Sequence, residues 1–286
     1  MRLALPTPCV VLSLACSVNL SGRVEGATYA EALAERLGIR AEGLEIDGRP
    51  AFVLLPDEAA SQGQPWILYA PALPEYPDMH ERWMHEQFVK HGVAVAGVDV
   101  GEAYGSPKGR SAISKLYDEL VNKRGFAPKP CLFGRSRGGL WVLSWAGENL
   151  ERTSGVVGIY PAFDLRTYPG LEKAAAAYGL TAEQLQARLP SVNPIEQANK
   201  LAEAKIPAMF IHGLEDQVVP FKENVGEYAA RYRAAGAGDL TTALAIEGQG
   251  HNYWEGFFRS QKLVDFAVAR AKDGARSIDF PEPTPR

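Results

Sequence analysis

The chain has 286 residues, 46% of them hydrophobic and 22% charged, and its 30 Lys and Arg against 34 Asp and Glu give a net charge of −4. Such a composition supports a sizeable core and excludes a disordered, collagen-like or disulfide-built protein. The mild acidity argues against a surface that tracks nucleic-acid phosphates, and no apolar run approaches the roughly 20 residues of a bilayer-spanning helix.

Residues 1–20 read as a leader. Met1-Arg2 precedes the apolar stretch Leu3 to Ala15, and Ala15 and Ser17 stand as small residues do at a signal-peptidase site. Pro6 and Pro8 interrupt the stretch and Arg2 is its only basic residue, so secreted or periplasmic and cytoplasmic locations are both kept as expectations. Cys9 and Cys16 fall in this leader and Cys131 in a strand-like run, which gives no disulfide framework and no CxxC signature. The pattern then predicts a short helix over 29–37 and two strands within 43–55 that turn at Asp47-Gly48.

From there strands and helices alternate. Strands are predicted at 65–69, 93–100, 130–133, 155–160, 207–212 and 240–246, and helices at 79–91, 111–124, 138–148, 222–234 and 255–271. Near-continuous apolar strands between helices indicate a mostly parallel sheet covered on both faces. With the two opening strands antiparallel, the expectation is a mixed eight-stranded α/β sheet within a single domain over 21–275. Residues 164–205 carry helical pieces and no strand, and read as an insertion over the carboxyl edge of the sheet. The Pro-rich tail 276–286 is predicted to be disordered.

Gly134-Arg135-Ser136-Arg137-Gly138 matches G-x-S-x-G, with an apolar strand ending at Phe133 and a helix-like run opening at Gly138. A strand–turn–helix setting is what this motif needs, because the serine sits on a strained turn and glycines let the backbones approach. A serine hydroxyl also needs a base held by a third group. Asp216 follows the strand 207–212 and His251 follows the strand 240–246, so all three residues leave the sheet at one edge, in the order Ser136, Asp216, His251. A histidine base must be neutral to take the serine proton, so kcat/KM should fall on the acid side.

These residues resemble the α/β-hydrolase superfamily. The elbow Gly134–Gly138, the acid turn His212-Gly213…Asp216…Val219-Pro220 and Gly250-His251 carry the resemblance, and Asp99 to Ser106 supports it less closely, departing from the usual loop at Gly101, Glu102 and Tyr104. It covers roughly 43–271 and looks closest to the dienelactone-hydrolase, acetyl-esterase and prolyl-oligopeptidase-like branch. The resemblance implies Ser136, Asp216 and His251 as catalytic residues and an oxyanion hole from the N–H of Arg137 and one from the loop after Tyr69. Pro71 and Pro74 have no N–H, which leaves Ala72 or Leu73, and Leu73 is the expectation. Glu102, Tyr104, Arg135 and Trp254 are the expected substrate-binding residues, with ion pairing to surface carboxylates the alternative for the Arg135 and Arg137 side chains.

Other chemistries have less support. His80 and His85 lie five apart, about 140° off the common face that a zinc-binding H-E-x-x-H helix provides, so they and His91 are expected at the surface or boundary of that helix. No metal is expected, and no nucleotide motif is present, so no cofactor is expected. The sequence therefore predicts a serine esterase acting on a short-acyl, small-molecule or carbohydrate ester, an acetylated sugar being the favoured example. A prolyl-oligopeptidase-type serine peptidase and a non-catalytic binding protein on the same fold are the alternatives.

Overall fold

The structure, a computed structural model, describes residues 26–276. The candidate leader, Cys9, Cys16 and the tail beyond Arg276 lie outside the described residues.

Helix α1 (Gly26–Leu37) leads into strands β1 (Ala41–Ile46) and β2 (Arg49–Leu54), which pair antiparallel. Their two-residue turn is Asp47-Gly48, both at positive φ (56° and 70°), the geometry whose twist matches a hairpin. There follow β3 (Trp66–Ala70), α2 (Arg82–Lys90), β4 (Ala94–Val98), α3 (Pro107–Asp118), β5 (Cys131–Arg135), α4 (Gly138–Ala146) and β6 (Gly155–Ile159). Three helices without a strand, α5 (Leu171–Tyr178), α6 (Ala182–Val192) and α7 (Gln197–Glu203), then precede β7 (Ala208–Gly213), α8 (Glu227–Ala234), β8 (Thr241–Ile246), α9 (Glu255–Phe258) and α10 (Gln261–Arg276).

The eight strands form one sheet in the order β1-β2-β4-β3-β5-β6-β7-β8, antiparallel between β1, β2 and β4 and parallel from there on. This is the mixed α/β sheet expected from the sequence. Alternate residues of β3 show why its run is apolar throughout: Trp66, Leu68 and Ala70 enter the core under α3, α4 and the inserted helices, whereas Ile67 and Tyr69 enter the core under α1, α2 and α10. Trp141 and Trp145 of α4 are buried in the first core, and Cys131 in the second. No described helix is long and apolar enough to cross a membrane.

Two of the element bounds that differ from expectation have a clear local cause. Helix α3 opens at Pro107, four residues early, because a proline fits the first turn where its missing N–H is not needed. The helix expected over 255–271 is two helices: α9 ends at Phe258, and Ser260 accepts the Leu263 N–H through its carbonyl and, at 3.4 Å, through its hydroxyl to begin α10.

Helix α1 also reaches the site edge of the sheet. Tyr29 Oη donates to the carbonyls of Leu73 (2.8 Å) and Tyr76 (2.6 Å), and Arg36 donates to those of Pro74 (3.0 Å) and Pro77 (3.1 Å). These carbonyls belong to a loop in which prolines have removed many donors, so α1 supplies the hydrogen bonds the loop cannot make itself.

His85 corrects the expectation of a surface or boundary position. It lies one turn after Glu81 on the face of α2 turned to the sheet, fully buried against Tyr69, Phe88 and Phe133. Burial, helped by the Arg135 charge, pushes its imidazole down from 6.5 to about 3. Between those values the unfolded chain holds a proton that the folded chain does not, so stability should fall as pH drops below about 6.5, by up to ~1.4 kcal/mol per pH unit. His85→Phe should flatten that fall, measured as guanidinium midpoints at pH 7.5 and 5. An equal loss in the variant would place the acid sensitivity elsewhere.

Candidate active site

The turn between β5 and α4 puts Ser136 at φ 50°, a left-handed conformation unusual for serine. It is held from both sides: the Ser136 N–H donates to Ile159 O (3.0 Å), and its carbonyl accepts from the N–H groups of Gly139 (3.0 Å) and Ala162 (2.8 Å). The glycines of the motif are required by space, since a Cβ on Gly134 would meet the Gly139 backbone and one on Gly138 the Ala70 carbonyl.

Three loops at the carboxyl edge bring the expected residues together. Ser136 Oγ lies 2.9 Å from His251 Nε2, and His251 Nδ1 lies 2.7 Å from Asp216 Oδ2. With Nδ1–H donating to the carboxylate, Nε2 is left as the acceptor for the serine proton. Asp216 is buried. Its Oδ1 accepts from the N–H groups of Val218 (2.9 Å) and Val219 (2.8 Å), and its Oδ2 takes a second contact from His212 Nε2 at 3.2 Å. Burial pushes this carboxyl up, but hydrogen bonds from His212, His251 and Val219 outweigh it and hold Asp216 far below the usual carboxylate range. Asp216 is therefore a fixed negative charge. Its neighbour Glu215 is exposed.

A cavity of about 250 Å³ opens beside Ser136 and His251. Pro71, Tyr76, Tyr160 and Tyr168 form part of its wall, and Arg135, Arg137, Val218, Asn252 and Tyr253 complete it. Leu73, the expected oxyanion donor, does not line it: the prolines turn its loop so that Leu73 sits in the core with its carbonyl on Tyr29, and Pro71 and Tyr76 face the cavity instead. The Arg137 N–H stands at the first turn of α4, where backbone donors have no intrahelical acceptor.

The expected substrate residues divide. Arg135 lines the cavity, yet its side chain is buried and ion-paired to Asp78 (2.8 Å) and to the fully buried Glu81 (2.6 Å), which also accepts from Tyr69 Oη. Its guanidinium lies 4.9 Å from the ring centroids of Tyr76 and Phe258. Arg137 lines the cavity too, paired to Glu102 (2.7 Å) and Glu75 (3.3 Å). Glu102, Tyr104 and Trp254 do not line it: Glu102 is held by Arg137 and by the buried Tyr104, and the Trp254 ring packs edge-on against Phe257.

Sequence reasoning missed Tyr160. It follows β6 at φ 33°, a left-handed conformation that costs a bulky residue on the order of 1–3 kcal/mol, and its ring centroid lies 4.2 Å from that of His251. Its place directly after a strand at the site edge was the available signal. His80 stacks on Tyr253 at 4.2 Å, and no cluster of three or more His, Cys, Asp or Glu residues able to hold a metal is found among the described residues.

Residues 114–269 match the model of the prolyl oligopeptidase family, peptidase S9, and so span more than half of the chain, with Ser136, Asp216 and His251 inside the match. The protein belongs to the prolyl oligopeptidase family. No curated protein matches this family member. Among solved structures, the puromycin-hydrolyzing peptidase of Mycobacterium tuberculosis is similar at 17% identity and a TM-score of 0.61, over 83% of this chain and 39% of that protein. Est1E from Butyrivibrio proteoclasticus is similar at 16% identity and a TM-score of 0.59, over 81% of this chain and 99% of its own. This member of the family thus spans well under half the length of the first peptidase and nearly the whole of Est1E, and at these identities the likeness is one of fold.

Proposed function

We propose that the protein is a serine hydrolase of carboxylic esters with short acyl groups, working through an acyl-enzyme on Ser136. The observation that carries this reading is the relay Ser136–His251–Asp216, at 2.9 and 2.7 Å, opening into a cavity. The Ser136 proton passes to His251 Nε2 as Oγ bonds to the acyl carbon and the carbonyl electron pair moves to oxygen. Collapse expels the leaving atom, which takes the proton from Nε2; water then repeats the sequence and frees the acid. Arg137 N–H is the oxyanion donor on this reading. Because Pro71 brings no N–H to the opposite wall, Tyr76 Oη replaces Leu73 as the second donor; burial raises its phenol so that it stays protonated.

The short-acyl part rests on the cavity size and on the inserted helices. Leu185 and Leu189 of α6 are buried in the core, and Tyr168 is the residue of the 164–205 stretch that lines the cavity, so the stretch offers no broad apolar face to a long chain. Comparing kcat/KM for p-nitrophenyl acetate, butyrate, octanoate and palmitate tests this, with acetate or butyrate expected to lead. Faster cleavage of octanoate or palmitate would refute it. The sugar alcohol loses part of its support: of Glu102, Tyr104, Arg135, Tyr253 and Trp254, expected as its partners, Arg135 and Tyr253 line the cavity and the other three do not. Family membership favours a second reading, peptide-bond hydrolysis by the same relay, and peptide p-nitroanilides in the same panel separate the two.

A further inference from the structure

Five large apolar side chains are exposed among the described residues: Met79 (54%), Leu214 (44%), Val218 (49%), Tyr253 (56%) and Trp254 (40%). Single exposed apolar residues scattered over a surface need no explanation. These are not scattered. Met79 stands on the loop after β3, Leu214 and Val218 on the loop after β7, and Tyr253 and Trp254 on the loop after β8. The same connections carry the cavity wall, Asp216 and His251, so all five stand at the carboxyl edge of the sheet, and Val218 and Tyr253 line the cavity itself.

The rim is built, not loose. Tyr253 stacks on His80, the residue after Met79, which joins the β3 and β8 loops. Trp254 lies over Gly256, where a Cβ would overlap the indole ring, so its placement depends on that glycine. Val218 lies within the acid turn, where its own N–H is fixed by Asp216 Oδ1.

Chemistry assigns this rim to one part of the substrate. Whatever bond is cleaved, the leaving atom must take its proton from His251 Nε2, so the leaving group has to pass beside that imidazole. Val218 and Tyr253 line the cavity next to His251, and the other exposed apolar residues continue outward from them on the same loops. We infer that the site selects substrates whose leaving group carries an apolar, ring-sized body, with Val218 and Tyr253 as its inner seat and Met79, Leu214 and Trp254 as its outer one. The inference rests on the serine-hydrolase reading and adds to it the half of the substrate that the acyl argument leaves open. An aryl alcohol and an apolar amine share this chemistry.

The test holds the acyl group constant and changes the leaving group at nearly constant reactivity. Kcat/KM is measured for phenyl and 2-naphthyl acetate, and for acetanilide and its 2-naphthylamide counterpart. The naphthyl member should lead by about tenfold or more in the series that is cleaved, since one added apolar increment is worth roughly that in a hydrophobic seat. Leu214→Ser with Trp254→Ser, neither of which lines the cavity, should bring the ratio toward one. Equal rates for both ring sizes in the unaltered protein, a ratio that survives the double substitution, or an acetylated hexose cleaved better than 2-naphthyl acetate would each overturn the inference. Fluorophosphonate labelling of Ser136, counted as equivalents per chain, separates the two failures: a labelled protein without ring preference refutes the rim alone, whereas an unlabelled one refutes the serine-hydrolase reading.

Discussion

Ser136→Ala should lower kcat by on the order of 10⁴–10⁶ while leaving the unfolding midpoint close to that of the unaltered protein. On the proposed serine-hydrolase reading, the large kinetic effect follows from removing the atom that bonds the acyl carbon. The small effect on stability follows from the surroundings of that atom: Ser136 Oγ meets His251 at the edge of a cavity, and the backbone at φ 50° strains alanine as much as serine. A fluorophosphonate probe should label the unaltered protein and not the variant. Labelling that persists in Ser136→Ala would place the nucleophile elsewhere.

The second large effect is on stability. Glu81 is fully buried, and its carboxylate accepts from Arg135 Nη1 (2.6 Å), Tyr69 Oη (2.9 Å) and the Asp78 N–H (3.1 Å). Glu81→Ala leaves a buried guanidinium with one carboxylate where it had two and a buried phenol without an acceptor, and should cost about 3 kcal/mol or more. Glu81→Gln keeps an acceptor in place and should cost less. Replacing both partners by apolar groups, Glu81→Leu with Arg135→Met, should recover part of the loss, because the penalty lies in the uncompensated charge and not in the missing attraction. Denaturant midpoints of the four proteins decide it. A cost under about 1 kcal/mol for Glu81→Ala would show that Asp78 alone satisfies Arg135.

Much of this architecture is legible in the sequence, and for an identifiable reason. A strand of a parallel sheet is apolar on both faces, so β3 to β6 announce themselves as short continuous runs, and residues that leave such strands at one edge converge without any knowledge of packing. The convergence of Ser136, Asp216 and His251 is legible in that way. Residues whose role depends on a distant partner are not. Glu81 carries no sequence signal of its burial, because the arginine that buries with it is 54 positions away. Leu73 was chosen by counting the N–H groups left between prolines, but those same prolines set the path of the loop and turn Leu73 inward. Trp254 neighbours Tyr253, which lines the cavity, yet one residue further along it packs on Phe257. Adjacency in sequence does not specify direction in a loop, where no fixed period applies.

The four hydrogen bonds from Tyr29 and Arg36 to the loop 73–77 make helix α1 a splint for the substrate cavity, although it contributes no residue to the lining. That matters for handling the molecule. A fusion partner or an immobilising linker that loosens Gly26–Leu37 would reshape the wall at Pro71 and Tyr76 and alter selectivity with the reactive groups untouched. The other end of the fold is safer ground. Gly274 in α10 packs directly against the Lys129 carbonyl, just ahead of β5 and therefore at the opposite edge of the sheet. A linker joined to an exposed side chain in this last part of α10 should leave the cavity its shape, read as unchanged kcat/KM for p-nitrophenyl acetate.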